Sequence, residues 1–442
     1  MYINTPKRYR GMQRRSAFSC QRFLMIGLLL FLIAVGVGFY QMRDLFAPRI
    51  TEIVNSGVED VGNWQATQFA PTPVPTSDPA IVLIDADNEW EAGRIGFALN
   101  AYNNNVDTMP NNVDVHIRIA EGYLTRGNIT EATDYAERTV TANPFSSDAW
   151  ATRALIYSWE SNIAEGIASA QQALALDPNN VRAITYLGYA YYQAGEYDLA
   201  RNRADDAIEL DPNFWGGYWL RGIISENSFP YDLIAAQADY ELGYSLALEQ
   251  NPAMAGVVGA GWARSIRDEV FNDIPNAEEA VSMLNEMLTI DDSNFMVIYT
   301  LGYTYFNSLG QWGEAQEVFT DCVSIAPENV NCQYMLGRSL YSLDSQNAAL
   351  EAFENAIENN TQYARHYWWA ARAERVLGSC AAATPYLEIG YDMVINGGLP
   401  AIDEGDATLQ GHFEDEMATC RIAVIPNSPT VVPEETEVVG DA

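Results

Sequence analysis

The chain has 442 residues, 48% of them hydrophobic, enough for a folded core over most of its length. It carries 59 acidic against 24 basic residues, a formal net charge of −35. All of the acids and all but six of the basic residues follow Arg22; a field of that sign repels phosphate backbones and argues against nucleic acid as a partner of the main body. The acidic surface has two readings, a preference for cationic partners or an adaptation to salt.

The first 22 residues hold Lys7, Arg8, Arg10, Arg14, Arg15 and Arg22 and no acid. Residues 23–40, FLMIGLLLFLIAVGVGFY, carry no charge. At about 1.5 Å per residue this run is just long enough to cross a bilayer core as a helix. The basic flank places the N-terminus in the cytoplasm and everything after residue 40 outside it. A cleaved signal peptide is the alternative, although no A-x-A site follows. Ala34 and Gly38 form a small-xxx-small pair. Residues 41–82 read as a linker, with four prolines between Ala70 and Pro79 forming a stiff, extended spacer.

A repeat then sets in. Prolines stand at 110, 144, 178 and 212, in the phrases MPNN, NPFS, DPNN and DPNF, 34 residues apart. The beat stretches by six residues to Asn251-Pro252 and again to Asp291-Asp292, resumes at Ala326-Pro327, and reaches Thr361. Each unit reads as two short helices. The clearest spans 181–212, with Leu187-Gly188, Tyr191, Gly195 at the turn, Ala200, Ala204, Ala207 and Pro212. Small residues at Gly188 and Ala200 let its two helices approach closely, and Pro212 stops the second.

This pattern resembles the tetratricopeptide repeat. Ala120, Tyr123, Gly127 and Ala132 carry the resemblance in one unit, and Trp150, Ala154 and Tyr157 in the next. Leu301-Gly302, Tyr305, Ala315 and Phe319 carry it later, followed by Leu336-Gly337, Ala349 and Phe353, then by Ala371, Gly378 and Ala383. Eight units are expected over 113–396, with half a unit (Ala98, Tyr102) before them, in an array covering 83–396. Pro230 and Pro275 fall in the inter-helix turns of the two longest units. The resemblance implies an all-α, right-handed superhelical solenoid, separate from the N-terminal membrane helix. Residues 397–424 should cap it, and 425–442 form an acidic, proline-rich tail expected to lack order.

No catalytic constellation is apparent. His116, His366 and His412 are far apart in the array, and GxGxxG, P-loop and GxSxG motifs are absent. Asp85-Ala-Asp87-Asn88-Glu89 is similar to a calcium loop but lacks its turn glycine and closing glutamate, so it reads as a solvated helix start. The chain therefore reads as a binding protein without cofactor or metal. Cys20 lies beside the membrane run on its cytoplasmic side. The other four cysteines, in an oxidising compartment, are expected to pair as Cys322–Cys332, which end one unit and open the next, and as Cys380–Cys420; four buried thiols are the alternative.

In tetratricopeptide proteins the first helices of successive units line a concave face that binds ligands. Helical phase would put Tyr189, Tyr192, Trp219 and Ile223 there, then Tyr299, Tyr303 and Phe306, then Tyr334, Arg338 and Tyr341, and finally Trp368, Arg372 and Arg375, with about half of the set exposed. Aromatics with arginine are the stuff of binding hot spots. They suit a protein or peptide segment, acidic by charge complementarity; a polysaccharide stacking on the same rings is the other reading. The lysine–asparagine clamp of some chaperone-binding members is absent, so the resemblance does not bring that ligand with it.

Overall fold

The computed structural model describes residues 79–270, 273–359, 361, 363–396 and 407–422. The apolar run 23–40, most of the spacer and the acidic tail lie outside these residues. Among the described residues no helix is long and apolar enough to cross a membrane.

Every regular element described is helical. Helices α1 (Pro79–Glu91) and α2 (Ile95–Asn103) form a first antiparallel pair. Eight pairs follow: α3 (Val113–Thr125) with α4 (Ile129–Ala142), α5 (Ser147–Trp159) with α6 (Ile163–Leu176), and α7 (Val181–Gln193) with α8 (Tyr197–Leu210). Next come α9 (Trp215–Asn227) with α10 (Leu233–Gln250), α11 (Pro252–Glu269) with α12 (Ile274–Leu288), and α13 (Phe295–Tyr303) with α14 (Trp312–Ile325). The last are α15 (Val330–Ser342) with α16 (Gln346–Glu358), and α17 (Ala364–Val376) with α18 (Cys380–Asn396). A single helix, α19 (Ala407–Thr419), packs on α18 and α17. Where half a unit was expected before residue 113, the structure has a complete pair, and the array begins at Pro79 rather than 83.

The 34-residue beat has a local cause. After the first three proline turns a side chain caps the next helix: Asn112, Ser146 and Asn180 accept hydrogen bonds from the amides of Val115, Ala149 and Ala183. The turn inside most units takes a residue with positive φ. Gly127, Gly195, Gly310 and Gly378 supply it in four units, and Ser161 and Asp344 take the same place in two others, at φ 67° and 57°. Within a unit the helices close over glycine. A Cβ at Gly337 would stand 2.5 Å from the Phe353 ring, and one at Gly302 would stand 2.8 Å from Phe319.

The first half of the array does not form an open groove. It curls until α3 meets α11. Glu121 of α3, 2% exposed, pairs with Arg182 of α7 and accepts a 2.8 Å hydrogen bond from Asn251, the residue capping α11. The α3–α4 turn is pressed against the next turn of the coil. A Cβ on Gly127 would come within 3.0 Å of Phe295 and 3.2 Å of Ala326. One continuous core links Ala120 and Leu124 to Tyr189, Trp219 and Val258.

The structure pairs Cys322 with Cys332 and Cys380 with Cys420. The first bridge joins the end of α14 to the start of α15, and the second fastens the end of α19 to the start of α18.

Candidate binding strip of the C-terminal units

The twelve aromatic and arginine positions taken from helical phase lie on the first helices of their units or, for Phe306, in the turn that continues one. None is exposed. Tyr189, Trp219, Phe306, Tyr334 and Trp368 are buried; Tyr192, Tyr299, Tyr303, Arg338, Tyr341, Arg372 and Arg375 are half-buried. The expectation that half would face solvent is corrected for a definite reason: the rings pack on one another between neighbouring helices.

In the first half, Tyr189 lies 5.0 Å from Trp219 and 5.7 Å from Trp159 between ring centroids. Together with buried Ile223, these rings fill the interior closed by α11. Burial pushes the Tyr189 hydroxyl well above its ordinary range. Tyr192 stacks on Tyr189. Farther on, Tyr299 and Tyr303 are neighbours at 6.3 Å, and Tyr303 lies under the guanidinium of Arg267, itself paired with Asp268. Tyr334 is covered by His366, its ring stacked at 4.3 Å.

Two further expectations fail at the C-terminal end, because α19 lies over the last unit. The Trp368 indole donates to the His412 carbonyl at 3.1 Å, and Arg375 forms an ion pair with Glu416. Neither belongs to an open cationic stripe.

Arg338 and Arg372 differ. They occupy the same position on α15 and α17, one repeat apart, and both hold their guanidinium over Trp369, at 4.4 Å and 5.3 Å. Arg338 also stands 4.9 Å over Phe306 and donates to the Tyr334 hydroxyl at 3.0 Å. Arg372 stands 5.0 Å over Trp368 and donates to the Tyr341 hydroxyl at 3.2 Å. Among the described residues neither has a carboxylate within ion-pair distance, although ten other arginines do. The Arg338 Nε is buried and has no acceptor. Flat cations stacked on rings keep their charge while losing water, which raises their appetite for an anion. Sequence reasoning found both arginines but missed Trp369, whose phase is one residue off the expected face.

The remaining motifs are structural. Asp85–Glu89 lies inside α1, and the Asp87 carboxylate takes Arg118 and the Tyr102 hydroxyl. Among the described residues no cluster of His, Cys, Asp or Glu is suited to hold a metal ion.

Models of the tetratricopeptide repeat match residues 160–219, 297–329 and 334–392. Subunit 3 of the anaphase-promoting complex from Schizosaccharomyces pombe is 19% identical over 218 residues, which cover 49% of this chain and 31% of that protein. This chain thus spans less than a third of the length of that curated relative. Among solved structures, the APC/C hetero-tetramer Cut9–Hcn1 overlaps with TM-score 0.49 at 12% identity, over 73% of this chain and 58% of that one. A tetratricopeptide repeat protein from Parabacteroides merdae gives 0.39 at 14% identity, over 59% and 98%. The human IFIT1 dimer with m7Gppp-AAAA gives 0.42 at 15%, over 63% and 67%. The helical pairs within those three stretches match the tetratricopeptide repeat, and the other pairs repeat the same two-helix form.

Proposed function

We propose that this chain is a membrane-tethered scaffold that holds a protein segment against its C-terminal repeats. The observation that carries this is the pair Arg338 and Arg372, partly desolvated on Trp369 and without a carboxylate partner among the described residues. Fully paired arginines would be framework; these two are positioned for an incoming anionic group, for which a guanidinium fork is suited. The surrounding rings offer apolar contact beside the charge, the combination found at interface hot spots. The curated relative is by its name a subunit of a complex, in keeping with an assembly role.

The tether is residues 23–40, with the array outside the cytoplasm. The basic flank before Phe23 supports this orientation, and two cysteine pairs favour an oxidising compartment. The test is capture of partners from solubilised membranes by wild type, Arg338→Ala and Arg372→Ala. Each substitution should weaken capture by about ten-fold or more, on the order of 1–3 kcal/mol. Undiminished capture by both variants sinks the assignment. Binding on a glycan array in place of protein capture would replace the protein segment with a polysaccharide.

A further inference from the structure

We infer that Arg338 and Arg372 form a carboxylate-binding slot whose resident ligand is the chain's own acidic tail around Glu434, Glu435 and Glu437. This rests on reading the strip as a binding surface and goes beyond it by naming the first occupant.

Two guanidiniums half-removed from water need anionic partners to offset the lost hydration. Inside the array they find only hydroxyls and rings, and the Arg338 Nε finds nothing. The chemistry of the slot therefore specifies a segment that brings carboxylates together with small apolar side chains to lie on Trp369 and Phe306. Residues 431–439, VVPEETEVV, have that composition: three glutamates flanked by valines. The whole stretch after Ile422 holds four acids and no basic residue.

Position makes the same case. The root of the tail is fixed beside the slot. Cys420 is bridged to Cys380, Glu416 is paired with Arg375, and the His412 carbonyl accepts from Trp368, whose ring lies 5.0 Å from Arg372. Ile422, the last described residue, packs on the same core as Trp368 and Ala371. From there to Glu434 the chain can extend roughly 40 Å, while neighbouring packed helices stand only about 10 Å apart. A segment held so near acts at an effective concentration in the millimolar range, so even weak pairing fills the slot. An external acidic segment would then have to displace the tail, which sets a threshold for partner binding.

The experiment uses the full chain in three forms: wild type, E434Q/E435Q/E437Q, and that triple variant with R338A and R372A added. A labelled synthetic peptide of residues 428–442 is titrated into each and followed by fluorescence anisotropy. The peptide should bind the triple variant at least ten-fold more tightly than wild type, lose that gain when the arginines are replaced, and bind more weakly as salt rises. The tail substitutions change none of the described residues, so the comparison of the first two forms stands even if the arginine changes disturb folding. Equal affinity for wild type and the triple variant overturns the proposal. A concentration-dependent dimer abolished by the tail substitutions would assign the slot to a second copy's tail and overturn it too. If the triple variant ignores the peptide while capture from membranes still depends on Arg338 and Arg372, the inference falls and the binding surface remains.

Discussion

Asn251 donates a 2.8 Å hydrogen bond to Glu121 across 130 residues of sequence, and with Arg182 it makes Glu121 the polar pin of the first half of the array. Replacing Glu121 by Ala strands a guanidinium that is 24% exposed and an amide that is buried. Removing one member of a buried pair costs roughly 3–5 kcal/mol. Glu121→Ala should lower the denaturation midpoint accordingly, and hydrogen exchange should locate the loss in α3, α7 and α11. A change below 1 kcal/mol would show that apolar packing alone closes the coil.

The turns predict a gain. Ser161 holds φ 67° where Gly127 and Gly195 hold 79° and 77° in the adjacent units. A non-glycine residue in that region costs about 1 kcal/mol. Ser161→Gly should therefore raise stability by about 0.5–1 kcal/mol in a denaturant titration, with no loss of helicity by circular dichroism.

His366 makes stability pH-dependent. Burial, with Arg365 second, pushes its imidazole down to about 3, and the Thr361 hydroxyl lies 2.7 Å from Nδ1. The unfolded chain takes up a proton near pH 6.5 and the folded one does not. Stability contributed by this site is complete above pH 6.5 and is lost as pH falls toward 3, at about 1.4 kcal/mol per pH unit. Chemical denaturation of wild type between pH 7 and 4 should show the slope, and His366→Asn should flatten it.

The two bridges should differ in worth. Cys322–Cys332 spans 10 residues and Cys380–Cys420 spans 40. Loop entropy assigns them about 3 and about 4 kcal/mol. Cys380→Ser with Cys420→Ser should cost the more stability of the two double changes, and it should also increase exchange of the Trp368 indole proton, because α19 is then held without a covalent link, by its apolar packing, the Arg375–Glu416 pair and the Trp368–His412 hydrogen bond. Equal losses with an unchanged indole would contradict this.

The pair-by-pair architecture was legible because its causes are local: a side-chain cap after most proline turns, positive-φ turn residues spaced 34 apart, and in several units a glycine facing a ring. The closed interior was not, since the meeting of Glu121 with Asn251 depends on curvature accumulated over four units, to which no short window has access. The same limit explains Trp368 and Arg375. Their phase on α17 is that of a ligand face, but α19, arriving from beyond the last repeat, takes them first. The pair α1–α2 was read only in part because no proline beat precedes residue 110 to announce it.

The pin between Glu121 and Asn251 has a bearing on how such a protein can change over generations. Open arrays gain or lose a module cheaply, since each touches only its neighbours. Here a duplication or deletion between α3 and α11 would carry the capping asparagine one module past or short of the carboxylate, and the Gly127 turn would no longer meet Phe295. The number of repeats in this stretch is thus locked by geometry, while the units beyond Ala326 are under no such count, and it is there that lengthening or shortening could be tolerated.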